Sequence, residues 1–130
     1  MGFFDFLFSS AGAASRGSVS QETEKKISYD WDTVRALLLK RGPSDLKQAL
    51  ITADRCMDTA LRDIAVGETM GERLKNSRDK FDPITYQKIW EAHKLRNNIS
   101  HEAGFEPPHF MVTEAINNLQ RALQTLGLRV

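Results

Sequence analysis

From Asp30 onward the apolar residues recur every three to four positions, the period of a helix buried along one face, and no strand-like alternation interrupts them. The spacing predicts a first helix over about Trp31 to Lys40, ending near Arg41-Gly42-Pro43, where glycine suits a left-handed stop and proline cannot continue the helix. Ser44 is placed to cap a second, long helix reaching about Ala65. Its apolar arc is Leu46, Ala49, Leu50, Ala53, Met57, Ala60, Leu61 and Ile64, with Asp54 and Asp58 at the edge of that arc. Thr69-Met70-Gly71-Glu72 has the pattern of a capping box and predicts a short third helix. Asp82-Pro83 opens a fourth helix at about Ile84, bounded beyond by Gly104 and Pro107-Pro108. The last helix carries Val112, Ala115, Ile116, Leu119, Ala122, Leu123 and Leu126 in one stripe that stops at Gly127. The fold class read from this pattern is all-α, a compact antiparallel bundle of about five helices. The helical domain is expected over residues 28–130, after a Phe-rich segment and flexible linker over residues 1–27.

The fourth helix has two distinct sides. At about 100° per residue, Ile84, Ile89, Ala92, Leu95 and Ile99 fall on one arc, and Tyr86, Trp90, His93, Asn97 and His101 on the adjoining one. Gln87, Glu91, Lys94 and Asn98 form the solvent-facing strip. The aromatic and polar second arc is the expected face of a subunit interface or cleft. Arg96 falls inside the apolar arc, where an unpaired guanidinium would cost several kcal/mol. Asp54 and Asp58 are its natural partners, with Glu72 behind them.

Composition narrows the classes. The 130 residues carry 18 basic and 17 acidic side chains, a net charge of +1, which argues against a protein that grips duplex nucleic acid by bulk charge. The single cysteine, Cys56, excludes an internal disulfide and a multi-cysteine metal site, and its expected role is a small core residue. Four of the seven phenylalanines stand in Met1-Gly2-Phe3-Phe4-Asp5-Phe6-Leu7-Phe8. This opening lacks the basic start and apolar length of a secretory signal, and no run approaches the roughly 20 residues needed to span a bilayer. Phe3, Phe4, Phe6, Leu7 and Phe8 would sit in a membrane interface or a partner's groove, or dock back on their own domain. The expected location is the cytoplasm, with this segment as a peripheral attachment.

The residues with chemical reach are few. Arg96-Asn97-Asn98-Ile99-Ser100-His101 joins an arginine that stays charged to a histidine that titrates near neutral pH, a minimal set for phosphate chemistry. His93 lies four residues before Asn97 and eight before His101, but no third ligand stands at matching spacing, so a metal pair is not expected. No phosphate loop, nucleophile elbow or paired-carboxylate motif is present, and no cofactor is implied.

The stretch Thr85-Tyr86-Gln87-Lys88-Ile89-Trp90-Glu91-Ala92-His93-Lys94-Leu95-Arg96-Asn97-Asn98-Ile99-Ser100-His101-Glu102-Ala103-Gly104 resembles the signature helix of the HEPN superfamily, in which an arginine, usually followed by a polar residue, precedes a histidine with four to six residues between them. With Ala53-Asp54, Asp58, the run Gly67 to Leu74 and the last helix, the likeness covers roughly residues 30–127 and extends to small bacterial HEPN-like proteins. The resemblance implies a metal-independent ribonuclease acting as a homodimer on RNA, or a nucleotide binder. Arg96 would then hold the phosphate, His101 would transfer protons, and Asn97 would orient the site. Residues five apart on a helix point about 140° apart, which suits a site assembled from two copies. HEPN toxins of toxin–antitoxin pairs that a nucleotidyltransferase silences carry a tyrosine two residues after the histidine; Ala103 stands there, against that form of control. The competing class is a non-catalytic helical interaction module tethered by its Phe-rich start.

Overall fold

A computed structural model describes residues 17–130, and these form an all-α bundle without a β-strand among them. Helix α1 spans Gln21–Lys40, α2 Pro43–Ile64, α3 Met70–Asn76, α4 Pro83–His101 and α5 His109–Thr125, with a single 3-10 turn over Arg78–Lys80. The long helix α2 is the hub: it packs on α1, α5, α4 and α3, and α5 in turn packs on α4. Its predicted arc is buried throughout, with Ala49, Leu50, Ala53, Met57, Ala60 and Leu61 at 0 % exposure. Each large side chain so buried contributes about 1.5–3 kcal/mol from the water it leaves. No helix among the described residues is long and apolar enough to cross a membrane.

The linker reading fails over its second half. Ser20 caps α1 by accepting the Thr23 N–H at 3.1 Å, so the helix begins ten residues before Trp31. Ile27, Trp31 and Val34, at helical spacing, are buried against α2. The polar first turns misled the periodicity because α1 offers only this narrow stripe to one neighbour. The Ser20 N–H also donates to the Asp63 carboxylate at 3.0 Å, tying the start of α1 to the end of α2. The Phe-rich stretch Phe3–Phe8 lies outside the described residues.

The α1–α2 link corrects two further expectations. Arg41, not Gly42, takes the left-handed conformation, at φ 62°. Gly42 is extended at φ −69°, ψ 153° and occupies the capping position in place of Ser44, with Pro43 as the first helical residue. A two-residue link forces this: the residue before a proline is driven to extended backbone, so the reversal falls one position earlier.

The third helix forms as its capping pattern predicts. Thr69 Oγ1 accepts the Glu72 N–H at 3.1 Å, while the Glu72 carboxylate accepts the N–H of Glu68 at 2.8 Å. Asp82 caps α4 by accepting the Thr85 N–H at 2.8 Å. Ile89, Ala92 and Leu95 are buried on α4, but Ile84 is 73 % exposed. An apolar arc fixes direction around a helix, not how far along it the neighbours extend, and Ile84 sits in the first turn. Helix α5 buries its predicted stripe and ends at Gly127, φ 91°, where the Leu128 N–H reaches the Leu123 carbonyl and the Gly127 N–H that of Gln124, a complete Schellman stop.

Candidate active site

Two side chains of α4, His93 and Arg96, converge on one carboxylate of α2. Asp54 sits one turn beyond Leu50 and is buried, at 3 % exposure. His93 brings Nδ1 to 3.0 Å from Asp54 Oδ2 and 3.2 Å from Oδ1. An ionised carboxylate only accepts, so it fixes the imidazole hydrogen on Nδ1 and leaves Nε2 as the unprotonated nitrogen of the neutral ring. Arg96, one turn on, points Nε at the same Oδ2 from 3.7 Å, an ion pair too long to be a hydrogen bond. Arg96 Nε is the one buried side-chain nitrogen or oxygen among the described residues that lacks a hydrogen-bond partner. Among the described residues His93 Nε2 makes no hydrogen bond, and it is not fully buried; the His93 side chain is 16 % exposed. Arg96 Nη1 donates to Asn97 Oδ1 at 3.3 Å.

The sequence placed Arg96 in the apolar arc, and the structure places it at that arc's rim. Its side chain is 32 % exposed: the Nε end is buried toward Asp54 and the far end of the guanidinium reaches solvent. Asp54 is thus the partner, and Asp58 is not. Asp58 is held by Arg73, with Nε to Oδ1 at 2.9 Å and Nη2 to Oδ2 at 3.1 Å. Arg73 also donates to the Gly67 carbonyl at 2.7 Å, so one buried guanidinium joins α2, α3 and the loop between them. Gly67, at φ 151°, permits this approach: a Cβ there would stand 2.9 Å from the Arg73 backbone nitrogen and 3.0 Å from its Cγ. Glu72 is occupied by Glu68 and does not reach Arg96.

His101 is exposed in the last turn of α4, and no hydrogen bond or ion pair among the described residues joins it to Arg96 or Asn97. One chain therefore brings Arg96 and Asn97 together and leaves His101 apart, as the 140° offset requires. The aromatic members of the face are ordered: Tyr86 meets Trp90 edge-on at 6.3 Å between ring centres, and Trp90 meets His93 at 6.4 Å. The Trp90 ring also rests against Gly71 of α3, where a Cβ would lie 3.4 Å from it.

Sequence reasoning missed the Asp54–His93 pair and the Arg73–Asp58 pair. The signal for the first was present: His93 lies one turn before Arg96, so whichever acid Arg96 faces, His93 faces too. Cys56 is buried, and burial, with the nearby Asp30 charge, pushes its thiol up to about 12. It therefore offers no thiolate to any chemistry at neutral pH. A groove of about 450 Å³ runs between α4 and α5, floored by Ala92, Leu95, Met111 and Ala115, on the side of α4 away from Asn97 and His101. Comparison with protein-family models, with curated proteins and with solved structures gives no match to this chain.

Proposed function

We propose that this protein is a HEPN-like domain that binds RNA and cleaves it without a metal, at a cleft between two copies of the chain. The observation that supports this reading is the arrangement around Asp54: the acid draws in Nε of Arg96 and Nδ1 of His93, while Nη1 of Arg96 reaches Asn97 and the Arg96 side chain is 32 % exposed. A guanidinium anchored at one end and open at the other is suited to a phosphodiester oxygen. Asn97 steadies it. His101 of the second copy supplies proton transfer, since His101 of the same chain points elsewhere. In the reaction the ribose 2′-oxygen attacks phosphorus, the bond to the 5′-oxygen breaks, and the products carry a 2′,3′-cyclic phosphate and a 5′-hydroxyl.

The test is incubation of the purified dimer with mixed RNA in EDTA. Wild type cleaves and yields cyclic-phosphate ends; His101→Ala, exposed and free of contacts that hold the fold, does not. RNA left equally intact by both, over several substrates, overturns the reading.

A second reading is a non-catalytic interaction module tethered by Phe3 to Phe8 to a membrane surface or a partner. The buried Asp54–His93–Arg96 cluster favours it to the extent that the cluster locks α4 onto α2. Inactive wild type, with the full chain recovered on liposomes and a chain lacking residues 1–16 left in solution, is its expected outcome.

A further inference from the structure

Transesterification needs a base for the 2′-hydroxyl and an acid for the leaving oxygen, and the reading above names one histidine. We propose that His93, held by Asp54, is a second catalytic residue, acting as the base opposite the partner subunit's His101. This inference rests on the two-copy reading and deepens it.

Two observations carry it. The first is the Asp54–His93 pair itself. A buried carboxylate on Nδ1 fixes the tautomer and the ring orientation, and Nε2, without a hydrogen bond among the described residues and not fully buried, stands three residues from Arg96. That is a built proton acceptor beside a phosphate-binding guanidinium, both on the same flank of α4.

The second is the spacing. His93 and His101 stand four residues either side of Asn97, about 6 Å up and 6 Å down the helix axis. Within one chain they are about 12 Å apart along α4 and cannot serve one phosphate. A two-fold axis beside Asn97 sets a second α4 antiparallel to the first. It then brings His93 level with the partner's His101, on opposite sides of the seam. The occupant of this face is thus a second copy of the chain.

The step balances without a cofactor. His93 Nε2 takes the 2′-hydroxyl proton as the oxygen–phosphorus bond forms. The partner's His101, entering as imidazolium, gives its proton to the 5′-oxygen as that bond breaks. Arg96 holds the non-bridging oxygens throughout.

The experiment is complementation between full-length chains. His93→Asn keeps an amide donor where Nδ1 stood, so Asp54 stays paired, and it removes Nε2. His93→Gln is the second variant, used where the first does not fold. Each variant, and His101→Ala, should cleave RNA at least 100-fold more slowly than wild type as a homodimer. A heterodimer of His93→Asn with His101→Ala, isolated through two different tags, keeps one complete site of two and should recover about half the wild-type rate. A His93 variant that cleaves at the wild-type rate overturns this proposal and leaves the Arg96–His101 reading standing. A heterodimer as inactive as its parents also overturns it, because the two histidines then do not serve one site across the seam. Wild type inert on all RNA overturns both readings together.

Discussion

His93 and Asp54 meet at 3.0 Å across the α2–α4 contact, and Asp54 has no closer partner. His93→Ala would leave a buried carboxylate facing only the 3.7 Å approach of Arg96, at a cost of about 3 kcal/mol. His93→Asn, which keeps a donor, should cost under about 1.5 kcal/mol. Urea unfolding distinguishes them; equal midpoints for the two variants would show that the pair does not bind α4 to α2.

Arg73 and Arg62 both reach Asp58, but their settings differ. The Arg73 side chain is 9 % exposed and paired twice, whereas that of Arg62 is 66 % exposed and reaches Oδ2 at 3.3 Å along one helix face. Arg73→Ala should cost about 3 kcal/mol by leaving Asp58 with only the exposed Arg62 and the Gly67 carbonyl without its donor. Arg62→Ala should cost under about 0.5 kcal/mol. Thermal melts of the two variants check the ranking.

The acid limb of stability should follow two carboxylates that accept N–H groups at helix starts, Asp63 at α1 and Asp82 at α4. Burial acts to raise the Asp63 carboxyl, but the Ser20 N–H and the Thr23 and Ser20 hydroxyls outweigh it and hold it below the ordinary value. Asp82 is held low mainly by the Thr85 N–H and hydroxyl. A carboxyl lowered on folding adds stability that is present above its unfolded pKa, near 3.9, and is lost as pH falls through the folded value. Asp63→Asn should therefore melt below wild type at pH 6, and the gap should close toward pH 2. A gap that holds constant over that range would contradict the assignment.

Arg41 bears a side chain in left-handed backbone at φ 62°. Arg41→Gly should relieve that strain and stabilise the fold by about 0.5–1 kcal/mol, a few degrees in Tm. A lower melting temperature would mean that the guanidinium contributes more than the strain removes.

Trp90→Glu places a charge on the face assigned to the second copy, two turns from Asn97. Sedimentation should show wild type as dimer and this variant as monomer. Wild type sedimenting as monomer at high micromolar concentration refutes the assembly.

The helical class and the buried faces of α2 and α5 were legible because each presents a full stripe to several neighbours. The first turns of α1 were not, since a helix that touches one partner buries only Ile27, Trp31 and Val34 along this length. Ile84 shows the opposite error, an apolar residue on the right side of α4 but in a first turn that nothing covers. At the site, the sequence required an acid for Arg96 and named two. Choosing Asp54 over Asp58 depended on Arg73, whose reach across the Gly67 turn is a property of the loop and not of any helix period. His93 was hidden by chemistry: a histidine can be ligand, core or surface, and only the burial of Asp54 decides which nitrogen is free.

The tie between Ser20 and Asp63 gives the molecule a polarity. Ser20 lies at the C-terminal end of α2, and Arg129 comes within 3.7 Å of Glu24 at the same end. The opposite end of α2, about 33 Å away for 22 residues, is marked by the ion pair of Lys47 with Glu106, just past the end of α4. Residue 17 thus departs from one pole and His101 from the other. Any anchor attached ahead of Ser20, on a bead, a vesicle or a fused protein, would leave the bundle standing on its α1 pole with the last turn of α4 held away from the anchoring surface.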